Sequence, residues 1–336
     1  MMKKKMKTTK TMMMKMTTST KMKKTLMRTM KNNTGYFLTC AIIWGLTWIA
    51  IKYQLPYVDG SAAVFYRFIF SSSVMFIICL FTKVSLFKFT KAQHFRFATQ
   101  GLFIFCLNYL LTYWATSMAT SALIALAFTS IIFLNMFGAR IFLNVPFEKK
   151  VVWGGILSLI GMACISLNEY LNIGLHPSSL WGFLIGLLST VSASAGNLIS
   201  YLNKKNNVPI SANNSWAMLY GSGFSLFICF ILGKSLHVDV TSTFVISFFY
   251  LSIFGTVISF WAYFKLIENI GPAKAAFTSI ASPVIALGVS TYMEKLDWSI
   301  YLALGAVFCI MGNVVALVRL PQRQRVVVPP SDLNHS

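Results

Sequence analysis

From Tyr36 to about Val318 the chain alternates long apolar runs with short polar joints. Each run is roughly 20 residues long, which is what a helix needs to cross the hydrocarbon core of a bilayer. The runs predict ten helices, over residues 36–54, 62–81, 96–115, 120–143, 151–168, 179–201, 212–232, 244–266, 273–293 and 299–318. They are too long, and alternate too little, to be strands of a transmembrane barrel. The joints between the third and fourth and between the fourth and fifth helices are short. Pro146 and Glu148-Lys149-Lys150 mark the second of them. The expectation is an all-α membrane protein with ten transmembrane helices.

The polar joints carry an orientation. With the N-terminus placed in the cytoplasm, 25 of the 29 Lys and Arg fall in the tails and inner joints, and three (Lys52, Lys234, Lys295) in outer ones. The positive-inside rule then sets both termini in the cytoplasm. Arg67 is left over, inside the second helix.

Composition agrees with this class. The 336 residues are 56% hydrophobic and 11% charged, whereas soluble domains carry about 25% charged residues. The net charge of +21 could suggest nucleic acid, but eleven of the basic residues lie in residues 1–31, a Lys/Met/Thr-rich stretch without an acid. The rest sit in short joints, where membrane topology explains them, so no nucleic-acid partner is expected. Residues 1–35 are expected to be a disordered basic tail without the h-region of a signal peptide. An upstream extension ahead of a start at Met30 is the other reading. The six cysteines all lie in apolar runs without a CxxC pair, and read as small buried hydrophobes.

Ala127-Phe128-Thr129-Ser130-Ile131 recurs as Ala276-Phe277-Thr278-Ser279-Ile280. Trp114-Ala115 precedes the first copy as Trp261-Ala262 precedes the second, and Gly154 and Gly161 follow as Gly305 and Gly312 do. The offset drifts only from 147 to 151 residues, which points to an internal duplication. The halves are then residues 36–168 and 179–318, followed by a cytoplasmic tail over 319–336. Five helices per half is an odd number, so the halves enter the membrane in opposite directions. Inverted five-helix repeats of this kind are an architecture of secondary transporters, with the substrate path between the halves.

Several motifs carry a family resemblance: Trp44-Gly45-Leu46-Thr47-Trp48 in the first helix and Phe65-Tyr66-Arg67-Phe68 in the second. Gly271-Pro272-Ala273, Pro283, Glu294, Gly305 and Gly312 follow in the second half. In order and topology these resemble the EamA-like branch of the drug/metabolite transporter superfamily. The resemblance covers about residues 36–318. It implies a permease that moves small metabolites such as amino acids and their derivatives, nucleobases or drugs. The first half departs from the pattern, with Leu134 beside Asn135 where Pro283 has its counterpart, and Leu143 or Val145 where Glu294 has its own.

The candidate substrate-binding residues are Arg67, Trp44, Trp48, Tyr113, Asn135, Asn197, Trp261, Tyr263 and Pro283. Arg67 stands about two turns into its helix, where a charge must find water or a partner, and a substrate carboxylate is one such partner. A structural Arg bonded to a neighbouring helix is the other reading. Asn135 and Asn197 are polar groups in apolar helices, able either to line a cavity or to bond between helices. The aromatic residues could line a pocket or simply pack. Pro283 removes a helical hydrogen bond and could free a carbonyl beside the path. No metal-ligand spacing, nucleophile–base pair or phosphate-binding glycine loop occurs, so neither a metal, a cofactor nor an enzymatic activity is expected. The function expected is a secondary transporter of a small organic metabolite, with an amino acid or derivative first in mind. Drug or toxic-metabolite efflux, a channel and an integral-membrane enzyme are the alternatives. The expected partners are the small-molecule substrate, the lipid bilayer and a second copy of the chain in a homodimer. The expected location is a bacterial inner membrane.

Overall fold

A computed structural model describes residues 32–47, 50–51, 53–119, 121–173, 177–293 and 298–317. Trp48 and Glu294, both singled out in the sequence, lie outside the described residues. The backbone is nearly all helical, and among the described residues the one β feature is an isolated antiparallel bridge, Val58 to Val238. Helices satisfy their own backbone polar groups, as a hydrocarbon environment demands.

We number the helices in chain order. α1 runs over residues 32–47, α2 over Gly60–Phe81, α3 over Lys91–Met118, and α4 over Ser121–Thr129 and Ile131–Leu143. α5 spans Lys149–Ile173, α6 Pro177–Lys205, α7 Ile210–Ile231 and α8 Ser242–Ile270. α9 comprises Pro272–Ala275 and Thr278–Met293, and α10 is Ile300–Leu317. Among the described residues eight helices, all but α1 and α9, are long and apolar enough to cross a membrane.

Four helices are not regular along their length. α3 contains a π-helical stretch, Gly101–Leu107, and α8 contains another, Tyr250–Ile258. In α8 the hydroxyls of Thr256 and Ser259 donate to carbonyls five residues back, those of Leu251 and Phe254. α4 is interrupted by a turn at Ser130, and α9 by a turn at Ala276 and Phe277. Both interruptions fall within the repeated Ala-Phe-Thr-Ser-Ile words, where the sequence pattern predicts continuous helices. The hydroxyls there give the physical reason. Thr129, Ser130 and Thr278 each donate to a carbonyl three or four residues back, a competition that bends helices.

Glycine lets α5 and α10 approach closely. A Cβ on Gly154 would stand 2.6 Å from the Gly312 carbonyl, and one on Gly161 would stand 2.7 Å from that of Gly305. No side chain fits there, so α5 and α10 lie antiparallel with their backbones touching. α1 is held against α8 and α9: Cys40 donates to the Ser259 carbonyl, and Ser282 to that of Ala41. α6 is held in the same way against α3, with Ser192 donating to the Phe103 carbonyl at 2.6 Å and Ser189 to that of Asn108 at 2.8 Å.

The two ends of the bundle are built differently. At one, Asp59 caps α2 and faces Lys234 at 3.5 Å, and the Asp239 amide donates to the Tyr57 carbonyl. At the other, Lys204 and Lys265 both pair with Glu268, Lys274 pairs with Glu148, and the Arg96 Nε donates to Asn203.

Candidate functional site

Between these ends lies a cavity of about 150 Å³. Its wall draws on α1, α2, α3, α4, α6, α8 and α9, so both halves of the chain contribute. The aliphatic and aromatic part comes from Trp44, Ile104, Phe128, Ile131 and Phe260. The polar part comes from Asn108, Thr112 and Tyr113 of α3, Asn197 of α6, and Ser279 and Ser282 of α9. Arg67 supplies the one charge among the lining residues.

Arg67 is 2% exposed. Its Nε donates to the Thr256 hydroxyl at 2.7 Å and its Nη2 to the Gly255 carbonyl at 3.2 Å. Both acceptors belong to the π-helical stretch of α8, whose altered ladder presents backbone oxygen sideways to α2. The Trp44 Nε1 donates to the same Gly255 carbonyl at 3.3 Å. The guanidinium carbon stands 5.0 Å from the Tyr109 ring centre and 5.7 Å from that of Phe68, close enough for cation–π attraction. The Nη1 is buried without a hydrogen bond of full geometry, and the Tyr113 hydroxyl lies within interacting reach of the guanidinium. Neutral acceptors and ring faces thus hold this cation, and none of the described residues pairs with it as an anion.

The neutral polar groups form two further clusters. The Asn197 Nδ2 donates to the Tyr263 hydroxyl at 3.0 Å, and the Asn197 Oδ1 is left without a donor. The Tyr263 ring packs 5.1 Å from Trp44. On the other side, the Ser189 hydroxyl lies 2.9 Å from Asn108 Oδ1 and 2.8 Å from the Thr112 hydroxyl. Pro283, inside α9, deprives the Ser279 carbonyl of its helical donor, and both residues are in the wall.

The residues singled out in the sequence separate into two groups. Arg67, Trp44, Tyr113, Asn197 and Pro283 line the cavity. Tyr263 is buried behind the wall and orients Asn197. Asn135 is fully buried behind the wall, within reach of Tyr263, and its Nδ2 donates to the Pro272 carbonyl at 3.1 Å, tying α4 to the start of α9. Trp261 is half-exposed on the outer surface and packs edge-on against Tyr36. Trp48 lies outside the described residues. Sequence reasoning passed over Tyr109, Thr112, Ser279 and Ser282. A signal for two of them existed: Asn108 and Thr112, like Tyr109 and Tyr113, are four apart and share one face of α3.

The sequence profile of the EamA-like transporter family matches this chain twice, over residues 34–167 and 180–318. The uncharacterized transporter YoaV of Bacillus subtilis (strain 168) is 24% identical over 277 residues, covering 82% of this chain and 93% of that protein. Protein PagO of Salmonella typhimurium is 22% identical over 293 residues, covering 84% and 91%. The uncharacterized inner membrane transporter YedA of Escherichia coli (strain K12) is 28% identical over 200 residues, covering 57% and 58%. A solved crystal structure shares the fold with a TM-score of 0.71, at 18% identity, over 85% of this chain and 96% of that one.

Proposed function

The chain belongs to the EamA-like transporter family, and on that premise we propose that it is an alternating-access permease for a small organic metabolite, an amino acid or a derivative first among them. In this reading all ten helices cross the membrane as two inverted five-helix repeats. Both termini are cytoplasmic, and the membrane is the inner one of a bacterium. The observation that carries the proposal is the cavity itself, walled by residues of both halves, including Phe128 and Ile131 of the first Ala-Phe-Thr-Ser-Ile word and Ser279 of the second. A path between related halves is where inverted-repeat transporters bind their cargo.

Two further features support the duplication, and a third supports the inversion. The two π-helical stretches begin 149 residues apart, at Gly101 and Tyr250. α2 and α7 are both 22 residues long and begin 150 residues apart. The glycine pairs of α5 and α10 match under exchange of the halves: Gly154 meets Gly312, and its repeat counterpart Gly305 meets Gly161. That is the contact expected across a two-fold axis lying in the membrane plane. With the termini inside, the Glu268 end is cytoplasmic and closed by ion pairs. The Asp59 end is also tied across the halves, by Asp59–Lys234 and the Val58–Val238 bridge, so transport requires the contacts at each end to open in turn.

Reconstitution tests this directly. Proteoliposomes loaded with a broad metabolite mixture should exchange at least one solute in a saturable manner, with counter-flow. Absence of flux for every solute, in both insertion orientations, would remove the permease reading, and non-saturable flux would point to a channel.

A further inference from the structure

We infer that the cavity recognises its cargo by a carboxylate, which docks on the free face of Arg67, and that an amino group on the cargo is not required. The inference rests on the reading of this cavity as the transport site.

A guanidinium has five N–H donors. At Arg67 one is taken by the Thr256 hydroxyl and one by the Gly255 carbonyl, the neutral Tyr113 hydroxyl lies within reach, and Nη1 makes no full hydrogen bond. These two bonds hold the guanidinium by its Nε and Nη2, fixing its plane before any ligand arrives. Tyr109 covers it as a ring face. The unspent nitrogen belongs to a residue in the cavity wall. A buried cation whose partners are all neutral favours an anion, and the planar fork matches the two oxygens of a carboxylate.

The opposite charge has no such place. No Asp or Glu is among the lining residues. The nearby Asp59 is engaged by Ser61 and Lys234, Glu268 by two lysines, and Glu148 by Lys274. An ammonium entering the cavity would find only neutral acceptors, the Asn197 Oδ1 and the Ser279 carbonyl freed by Pro283, and would share the space with Arg67. The remainder of the wall, Trp44, Phe128, Ile131 and Phe260, suits an apolar body attached to the carboxylate. The class is therefore an apolar monocarboxylate. An amino acid enters it through its carboxyl end, and its deaminated analogue should bind at least as well.

The test uses the full chain, purified in detergent, and ligand-induced thermal stabilisation. The probes are 3-phenylpropionate, its amide, phenylalanine and 2-phenylethylamine, with hexanoate and hexanamide as an aliphatic pair. At least one carboxylate should bind about tenfold or more tightly than its amide, the size expected of a charge-assisted hydrogen bond. Phenylalanine should bind no tighter than 3-phenylpropionate, and the amine should be weakest. Equal binding of acid and amide, preference for the amine, or no carboxylate binding overturns the inference. Arg67→Gln should abolish the acid-over-amide preference and Arg67→Lys should keep part of it. Should Arg67→Gln fail to fold, the wild-type pairs still decide. Saturable transport of a neutral or cationic solute that does not compete with any carboxylate would sink this inference and leave the permease standing. Loss of all transport would sink the permease itself.

Discussion

Asp59 shows how much one residue can decide at a helix end. Its carboxylate accepts hydrogen bonds from both the amide and the hydroxyl of Ser61, and Lys234 stands 3.5 Å away. Partial burial pushes its pKa up, but the Ser61 bonds and the Lys234 charge outweigh burial and hold it below the usual carboxylate value. A carboxyl whose pKa is depressed by folding stabilises the fold above its unfolded pKa, and that contribution disappears as pH falls through the folded value. Melting of the purified protein should therefore lose an increment on going from pH 5 to below about pH 4, near the ordinary Asp pKa. Asp59→Asn should retain the cap, since Asn caps as well as Asp, and should lack that increment at every pH. Asp59→Ala should lose the cap too, about 1 kcal/mol. A wild-type protein and Asp59→Asn with identical pH profiles would count against this account. Arg67 teaches a different lesson at the same scale. A lone charge in an apolar run is visible in sequence, but its partners, Thr256 and Gly255, are 189 and 188 residues away, and nothing local announces them.

Among the elements, α5 and α10 make the sharpest packing statement. Each Gly of the two pairs meets a facing backbone carbonyl at a distance no Cβ tolerates. Gly161→Ala should cost about 1–3 kcal/mol by overpacking, read as a lower melting temperature. Gly223→Ala, on the exposed side of α7 with nothing within 4 Å of a Cβ, should be neutral or slightly stabilising, because Ala is the better helix former. Equal effects at the two positions would refute the tight crossing. The eight long helices were legible because hydropathy reports length directly. The internal irregularities of α3, α4, α8 and α9 were not. A π-helical stretch changes the hydrogen-bond ladder without changing apolar length, and Gly101–Leu107 reads simply as hydrophobic. The repeated Ala-Phe-Thr-Ser-Ile word was legible as a repeat, but that it marks helix interruptions depends on where its hydroxyls point. The cavity shared this limit. Trp44, Arg67, Tyr113, Asn197 and Pro283 were reachable from chemistry and context, whereas Ser279 and Ser282 look like any small residues of a membrane helix. Asn135 and Trp261 carry the same chemistry as cavity residues, yet the turn of their helices directs them elsewhere.

For the molecule as a whole, the proposed transport cycle has to break the contacts that join the halves at the Glu268 end. At the Glu268 end, Lys274 reaches Glu148 at 2.6 Å and joins the start of α9 to the joint ahead of α5, one half to the other. Lys204 and Lys265 converge on Glu268, tying α6 to α8. The Asn203 Nδ2 donates to Gln100 and Asn213, joining α3, α6 and α7. In the orientation proposed above these contacts lie on the cytoplasmic side, between the cavity and the inner solution. Partly exposed ion pairs contribute about 1 kcal/mol each at most. Removing the two that join different elements, Lys204–Glu268 and Lys274–Glu148, should therefore shift an open–closed equilibrium by a factor of roughly 5–30, enough to repopulate a transporter without unfolding it. Spin labels at Lys149 and Asn206, both exposed and on opposite halves at this end, would report the change. In the Glu148→Gln/Glu268→Gln double variant the distance distribution should gain a longer component, and raised salt should produce part of the same shift in the wild type by screening. The melting temperature should change little, because the helix contacts at Gly154–Gly312 and Gly161–Gly305 are untouched. An unchanged distance distribution with the ion pairs removed would mean that packing, as where Asn135 grips the Pro272 carbonyl, holds this end instead. The same labels with Asn135→Ala would then identify the element that has to give way.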